Sequence, residues 1–374
     1  MQPLTAEAAL AAAAQFQTEG SARRIGRLGN GHINDTFLVE CDRPYVLQRV
    51  NTYVFPNPLA VVQNMELVTN FLRREITARG GEPDRETMTL IPAADGSRCF
   101  TDKDGNFFRM FYYIENTLVL ENAADRDSFR SSGEAFGHFQ FLLRSFPVSS
   151  LTEVIPGFHD TPARFAAFAE AVREDRAGRA AGCRREIEFL LAREADSHAA
   201  GKAAAQGLLP LRVTHNDTKL NNILFDRASG RALCIIDLDT VMPGLSIHDF
   251  GDTIRFGAST AAEDERDTSR VSLSLALYEA YMQGFLRGCG GILTPGELGM
   301  LPWGARLMTL ECALRFLADH LQGDRYFRTA YPEHNLVRAR TQIALAADME
   351  RKWDEMQRIA KEQASADRGA GRGL

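Results

Sequence analysis

The sequence predicts an α+β fold in two parts, a β-rich N-terminal part and a larger, mainly helical C-terminal part. Three observations support this class. Short apolar runs alternate with turn residues over the first third of the chain, helical periodicity dominates from about Asp125, and one short hairpin interrupts the helices.

The first third combines a small antiparallel sheet with helices. An N-terminal helix is expected within residues 1–20, and Pro58–Arg74 carries apolar residues at three- and four-residue spacing. The strand candidates lie between Gly-, Pro- and Asp-containing turns. They are Ile25–Leu28, Phe37–Glu40, Tyr45–Val50, Leu90–Pro92 and Phe107–Ile114.

The rest of the chain is predicted to be helical around one hairpin. Asn222–Phe225 and Leu233–Ile236 are the two strands of that hairpin, joined by a turn at Asp226–Gly230. We therefore expect an N-terminal domain over residues 1–115, a C-terminal domain over 116–366, and a disordered Gly- and Arg-rich tail over 367–374.

Composition limits the possible functions. The 374 residues are 45% hydrophobic and 25% charged, with a formal net charge of −6. This argues against nucleic acid as a partner, which requires a basic face. The six cysteines form no CxxC pair and indicate reduced thiols. No stretch approaches the roughly 20 apolar residues of a membrane span. We expect a cytoplasmic protein without membrane partners, a monomer or weak homodimer.

The segment with the clearest chemistry contains the pattern H-x-D-x-K-x-x-N. Asp217 can accept a proton from a substrate hydroxyl, Lys219 can neutralise a transferring phosphate, and Asn222 can ligate a metal ion. His215 is expected to brace the loop through the backbone. Phosphoryl transfer needs this combination of positioning and charge neutralisation, so the pattern indicates a kinase.

A second carboxylate group follows the hairpin. The strand Leu233–Ile236 ends in Asp237-Leu238-Asp239, across the hairpin from Asn222. Mg²⁺ prefers one or two carboxylates, with phosphate oxygens and water completing the octahedron. Asn222 and Asp237 are therefore the predicted Mg²⁺ ligands. Asp239 is a candidate for a second Mg²⁺ ion or for bracing the loop. Asp249, which follows this metal loop, is expected to be structural and to tie the loop to the catalytic segment.

These motifs resemble the aminoglycoside phosphotransferase-like kinase superfamily, which has a two-lobed protein-kinase-like fold. Several segments resemble more narrowly the bacterial N-acetylhexosamine 1-kinases, over about residues 20–350. They are Gly31–Asn34, Thr214–Leu224, Ile236–Thr240, Glu311–Asp319, Gly323–Phe327 and Tyr331–Arg338.

The resemblance implies a reaction and a set of roles. ATP and N-acetylglucosamine or N-acetylgalactosamine would give the sugar 1-phosphate and ADP, with Mg²⁺ as cofactor. Asp217 would be the catalytic base. Arg315, Tyr326 and His32 match positions that hold the acetamido sugar.

Two of the sugar-site assignments have a structural alternative. Arg315 offers a rigid fork of donors for hydroxyls or a carbonyl, but it can also pair with Asp319 four residues later. Tyr326 can stack on a sugar or pack into the core beside Phe327. Both alternatives stay open at this point.

The predicted nucleotide site lies in the first third. The turn Gly29, Asn30 and Gly31 can approach phosphates through backbone N–H groups.

Gln48 stands where kinases of this type carry a strand lysine. Arg49 is beside it, and strand neighbours point to opposite faces, so only one of the two can face ATP. Glu66 is the candidate helix glutamate for pairing with a strand cation. The backbone of Tyr113 and Ile114 is predicted to read the adenine edge.

Two other hypotheses fit the motifs. A kinase of the same fold can act on choline, homoserine or an aminoglycoside. A choline site would need an aromatic cage, and an aminoglycoside site an acidic surface. A nucleotide-binding pseudokinase is disfavoured, because Asp217, Asn222 and Asp237 are all present.

Overall fold

The computed structural model describes residues 4–29, 33–120 and 125–370, with side chains as far as residue 366. Its helices are α1 Ala6–Ala13, α2 Pro58–Ala78, α3 Pro83–Glu86, α4 Arg126–Leu142, α5 Thr161–Glu174, α6 Arg184–Leu191, α7 Glu194–Ser197, α8 Ala199–Ala205, α9 Ser246–Gly257, α10 Leu275–Cys289, α11 Pro295–Gln322, α12 His334–Arg351 and α13 Trp353–Ala370. Its strands are β1 Arg24–Arg27, β2 Asp35–Glu40, β3 Pro44–Val50, β4 Phe100–Thr101, β5 Phe107–Tyr112, β6 Thr117–Leu118, β7 Arg212–Thr214, β8 Ile223–Asp226, β9 Ala232–Ile235 and β10 Met242–Gly244.

These elements confirm the α+β class. The described residues fall into two compact units. The first unit takes those of Met1–Val119, Leu142–Ile155 and Asn222–Pro243, and the second takes those of Leu120–Phe141, Pro156–Asn221 and Gly244–Leu374. The sequence predicts one C-terminal domain over 116–366, whereas residues 116–119, 142–155 and 222–243, the last of which include the predicted hairpin, group with the first unit.

The first unit is built on a five-stranded antiparallel sheet in the order β1-β2-β3-β5-β4. Alternate residues of its strands point to one face, where α1 packs and forms a hydrophobic core. The expected strand at Leu90–Pro92 is wrong. Leu90 makes only an isolated bridge to Phe111, and Pro92 has no N–H with which to continue a ladder.

The predicted hairpin is present in the first unit, where β6, β8 and β9 form a second small sheet. Strands β8 and β9 pair antiparallel with Ile223 opposite Ile235, and the register shifts between Leu224 and Phe225. This register places Asn222, just before β8, and Asp237, just after β9, at the same end of the hairpin.

The second unit is organised around α11, which packs against α5, α9 and α12. The apolar faces of α5, α6, α11 and α12 form its main core. Helix α11 begins with a complete capping box between Thr294 and Glu297. Helix α4 lies close to α10 because Gly133 and Gly284 carry no Cβ, which would overlap the backbone of the facing helix.

The C-terminal helix α13 includes residues 367–370, for which the sequence predicted the start of a disordered tail. Residues 371–374 lie outside the described part. Within the described ranges, no helix is long and apolar enough to span a bilayer.

Candidate active site

The segment carrying Asp217 follows β7 in the second unit, and a buried carboxylate holds part of its backbone. Asp249, buried on α9, accepts hydrogen bonds from the backbone N–H of His215 at 2.9 Å and of Asn216 at 2.8 Å. Asn216 adopts a left-handed conformation with φ of 63°. The sequence analysis expected Asp249 to be structural, tying the metal loop to the catalytic segment. These contacts confirm that it braces the catalytic segment.

Gln140 extends this brace from helix α4. Its amide donates to Asp249 Oδ2 at 3.1 Å and to the Val213 carbonyl at 2.9 Å. Burial raises the pKa of Asp249, while the hydrogen bonds from His215 and Asn216 act in the opposite direction. The loop is therefore held by buried polar contacts on one side, which leaves Asp217 on the other.

His215 has the bracing role that the sequence predicted. It is fully buried, and its Nδ1 accepts the backbone N–H of Asp217 at 3.2 Å. The edges of Phe136 and Phe139 pack around its ring. The histidine therefore fixes the backbone of the catalytic segment.

Asp217 and Lys219 form an ion pair at 2.6 Å. Burial lowers the pKa of Lys219, but the charge of Asp217, the hydrogen bond to it and the charge of Asp252 together more than offset that effect. The pKa therefore lies above its ordinary value and the lysine stays charged. The Asp217 side chain keeps 27% of its surface exposed. A partly accessible carboxylate beside a fixed cation suits proton acceptance next to a phosphate.

Arg315, on α11, lies among three aromatic rings. Its guanidinium carbon is 5.3 Å from the centroid of Phe327, 5.7 Å from that of Tyr326 and 6.0 Å from that of Phe158. In the described part of the chain it makes no hydrogen bond or ion pair, so the alternative of a pair with Asp319 is not observed. Arg315 is a cation framed by aromatic surface.

Asp319 has a different task. Its oxygens accept the backbone N–H groups of Arg325, Tyr326 and Phe327 at 2.8–2.9 Å. This fixes the loop after α11 and presents Tyr326, a residue that is 70% exposed, instead of burying it. The alternative of core packing for Tyr326 therefore does not hold.

A buried polar cluster in the second unit was missed by the sequence reasoning. Glu311 receives His159 Nδ1 at 2.9 Å and the Thr161 hydroxyl at 2.6 Å. Burial raises the pKa of Glu311, but His159 and Thr161 lower it by more. Burial lowers the pKa of neighbouring His248 to about 3, so that ring is neutral. Only Glu311 had a signal, because it lies in a segment that carried the family resemblance.

The predicted metal ligands Asn222 and Asp237 lie in the first unit, at the same end of the β8–β9 hairpin. The Asn222 carbonyl accepts the Ile236 N–H at 2.9 Å. Asp237 has a left-handed backbone with φ of 59° and ψ of 56°, which turns the chain out of β9. An amide oxygen and a carboxylate suit Mg²⁺.

Asp239 braces the same loop. One of its oxygens pairs with the guanidinium of Arg109, and the other accepts the Asn34 amide at 2.7 Å. Both side chains of the ion pair are at least 95% buried. Among the described residues, no three His, Cys, Asp or Glu side chains are grouped as a metal site. Because both oxygens of Asp239 are engaged by Arg109 and Asn34, we favour the bracing alternative for Asp239. Mg²⁺ would draw its other ligands from phosphate and water.

Neither Gln48 nor Arg49 presents a charge on the face expected to carry the strand lysine. The Gln48 oxygen accepts two hydrogen bonds from Arg109, at 2.8 and 3.0 Å, and its amide donates to Thr36. Arg49 points to the other face and pairs with Asp35. Arg109 of β5 is the cation directly beside Gln48 on that face.

Arg109 was another residue that the sequence reasoning missed. Its signal was a lone charge within an otherwise apolar strand. The helix glutamate Glu66 pairs instead with Arg98 at 2.6 Å. The expected pairing of Glu66 with a strand cation is therefore wrong.

The remaining nucleotide-site predictions concern backbone. Gly29 has a left-handed φ of 70°, and a Cβ placed on it would meet no atom of the described residues within 4 Å, which suits a turn that approaches phosphates. Asn30, Gly31 and His32 lie outside the described residues. The Tyr113 N–H donates to the Pro44 carbonyl at 3.1 Å, and the Ile114 carbonyl accepts the Thr117 hydroxyl at 2.9 Å.

Comparison with known proteins gives the family. A family model described as the phosphotransferase enzyme family, APH, matches residues 24–285. Three solved structures show the same fold at low sequence identity. A microcompartment-associated aminopropanol kinase is 16% identical with a TM-score of 0.58, covering 93% of this chain and 98% of that chain. An amicoumacin kinase in complex with AMP-PNP and Ca²⁺ is 12% identical with a TM-score of 0.55, covering 89% of this chain and 91% of that chain.

The third structure is a choline kinase from Cryptosporidium parvum Iowa II. It is 11% identical with a TM-score of 0.54, covering 89% of this chain and 90% of that chain. The three structures share a kinase-like α+β fold with this chain, while their acceptors differ from one another. The chain belongs to the APH phosphotransferase family and is a kinase-like phosphotransferase.

Proposed function

We propose that the protein transfers the terminal phosphate of ATP to the anomeric hydroxyl of N-acetylglucosamine or N-acetylgalactosamine. Support comes from the family, whose members transfer phosphate, and from the segments that resemble N-acetylhexosamine 1-kinases. Two of those segments hold Arg315 and Tyr326. The enzyme would work in the cytoplasm, where ATP is available.

The surroundings of Arg315 carry the choice of acceptor. Three aromatic rings lie within about 6 Å of its guanidinium, which has no acidic partner among the described residues. Aromatic faces favour a cation, and here the protein supplies it. A quaternary ammonium or a polycationic acceptor would meet like charge, whereas a hydroxyl or acetamido oxygen would meet a fork of donors. This favours a neutral sugar over choline or an aminoglycoside.

The roles of the catalytic residues follow from their chemistry. Asp217 takes the proton from the anomeric hydroxyl while the oxygen of that hydroxyl bonds to the terminal phosphorus of ATP. The bond between this phosphorus and the bridging oxygen breaks, and ADP is released. Lys219 offsets negative charge beside Asp217. Arg315 and the exposed Tyr326, with His32, hold the sugar. Gly29, Asn30 and Gly31 cover the phosphates.

Asn222 and Asp237 would hold Mg²⁺ through one amide oxygen and one carboxylate. When bound, Mg²⁺ supplies charge neutralisation on the phosphate oxygens. The backbone of Tyr113 and Ile114 would face the adenine.

A panel of acceptors tests the proposal. Purified protein with ATP and Mg²⁺ is offered N-acetylglucosamine, N-acetylgalactosamine, choline, homoserine, aminopropanol and an aminoglycoside, and ADP release is measured. We expect turnover with at least one N-acetylhexosamine, with kcat/KM at least about 100-fold above the other acceptors. Absence of turnover with both sugars would reject the proposed acceptor.

A further inference from the structure

Arg109 occupies the position opposite the missing strand lysine. Strands β3 and β5 are antiparallel, and Gln48 and Arg109 are directly paired across them. Opposed residues in an antiparallel pair point to the same face of the sheet. A positive charge from β5 therefore lies beside the neutral amide on β3.

Arg109 contacts Gln48 on β3 and Asp239 in the loop after β9. Its guanidinium donates to Gln48 Oε1 and pairs with Asp239, and its side chain is 1% exposed. A buried charge is costly unless it is paired, so Arg109 and Asp239 depend on each other. Gln48 fixes the direction of the guanidinium.

Asp239 lies two residues after the proposed Mg²⁺ ligand Asp237, in a short 3₁₀ turn over Leu238–Thr240. Its second oxygen accepts the Asn34 amide, and the Asn34 oxygen in turn accepts the backbone N–H of Asn51. The loop is thus fastened to the sheet at both oxygens of one carboxylate. Because the turn is short, fastening Asp239 restricts the left-handed backbone at Asp237.

We propose that Arg109 is the positioning residue of the metal loop: through its buried pair with Asp239 it holds Asp237 in the orientation that binds Mg²⁺ with the nucleotide. The inference rests on the proposed function for the roles of Asp237 and Mg²⁺. It assigns Asp239 to the brace and not to a second metal ion, since its oxygens are already engaged by Arg109 and Asn34.

The test compares nucleotide binding with and without the metal. The dissociation constant of ADP is measured by titration calorimetry in excess Mg²⁺ and again in EDTA. The double variant Arg109→Met/Asp239→Asn removes both buried charges, so neither is left unpaired, and thermal melting verifies its fold. Arg109→Met and Asp239→Asn are measured alone where they fold.

The wild-type protein is expected to bind ADP more tightly with Mg²⁺ than in EDTA. In the double variant we expect the Mg²⁺-bound affinity to fall by about 10- to 100-fold, because partners that orient metal ligands commonly have effects of that size. Affinity in EDTA should change by less than about threefold. The losses of Mg²⁺-dependent ADP affinity in the two single variants should not sum to that of the double variant, since each single substitution breaks the same pair. Arg109→Lys should restore part of the loss.

Arg73→Met is the matched control. Arg73 lies in the same unit and binds Thr89 and Asp84, away from the metal loop. It should leave both affinities unchanged. If the folded double variant gains as much ADP affinity from Mg²⁺ as the wild-type protein does, the positioning role of Arg109 is overturned while the proposed function is not. A wild-type protein that binds no ADP would overturn this role together with the proposed function.

Discussion

The two units hold their chemistry-bearing loops by different means. In the second unit, the carboxylate of Asp249 receives backbone N–H groups of the segment that carries Asp217. In the first unit, a buried ion pair between Arg109 and Asp239 fastens the loop that carries Asp237. One loop is fixed through its backbone and the other through a side chain.

The difference predicts how each loop responds to mutation. A backbone brace tolerates changes in the side chains of the loop, because the N–H groups are present whatever the residue. A side-chain pair fails when either partner changes, and leaves a buried charge behind. Substitutions at Asp217 should therefore affect chemistry without affecting folding, whereas substitutions at Arg109 or Asp239 should affect both.

Asp217→Asn should have the largest effect on activity. The amide cannot accept a proton, so we expect kcat to fall by about 10²- to 10⁴-fold. The ADP dissociation constant and the melting temperature should stay close to wild type, because the backbone of the loop is held from Asp249. Turnover by coupled ADP release and binding by calorimetry check this. Activity within about threefold of wild type would remove Asp217 from its role.

Asp249→Asn tests the brace itself. The amide offers one oxygen where the carboxylate offers two, so a buried N–H of His215 or Asn216 loses its acceptor. We expect a loss of about 1–3 kcal/mol in the free energy of unfolding, with reduced kcat. Urea denaturation measures the loss.

Asp102→Asn is the matched control for the brace. Asp102 also accepts two backbone N–H groups, from Asp104 and Asn106, but in a turn near the surface. Asp102→Asn should reduce the free energy of unfolding by less than Asp249→Asn does. Equal losses of unfolding free energy in the two variants would show that the buried Asp249 brace stabilises the protein no more than the surface turn does.

Arg315→Met tests the acceptor site in the second unit. Removing the donor fork while keeping an apolar stem should raise KM for the N-acetylhexosamine by about 10-fold or more. KM for ATP should not change. Arg338→Met, which removes another arginine lying over an aromatic ring, serves as the control. An unchanged sugar KM in Arg315→Met would contradict the proposed contact.

Asp348 is expected to affect stability without affecting activity, and its stabilising effect is lost in acid. Burial raises its pKa, but hydrogen bonds from Lys352, the Leu273 N–H and Ser272 lower it to about 2, from an ordinary value of 3.8. Because the folded pKa is depressed, the stabilisation is complete above pH 3.8 and is lost as the pH falls towards 2.

Asp348→Asn should therefore cost about 2 kcal/mol near neutral pH and much less near about pH 2.5, with activity unchanged. Urea denaturation of both proteins across this range gives the difference. If the difference in the free energy of unfolding between the two proteins does not narrow in acid, the lowered pKa of Asp348 is contradicted.

The fold and part of the candidate site could be predicted because their signals are local. Periodicity predicted α2 and β3, and the spacing from His215 to Asn222 placed the catalytic segment on a loop before a hairpin. The roles of His215 and Asp249 followed from the same neighbourhood. Each of these depends on residues close together in the sequence or on a regular repeat.

The rest depends on contacts between distant segments. Arg109 and Asp239 meet only when β5 and the loop after β9 lie in one unit, which no local pattern indicates. The pairing of Glu66 also depends on distant residues. The expected position on β3 holds the neutral Gln48, the cation Arg109 lies on β5 and pairs with Asp239, and Glu66 pairs with Arg98. The cluster of Glu311 and His159 likewise joins α11 to a loop far away in the chain.

The most direct measurement is the identity of the product formed from N-acetylglucosamine and ATP. The proposed function predicts one ADP for each sugar phosphate, and a phosphate released by mild acid, as expected for an anomeric phosphate. An acid-stable sugar phosphate would place the transfer on another hydroxyl, and ADP release without any sugar phosphate would contradict the account.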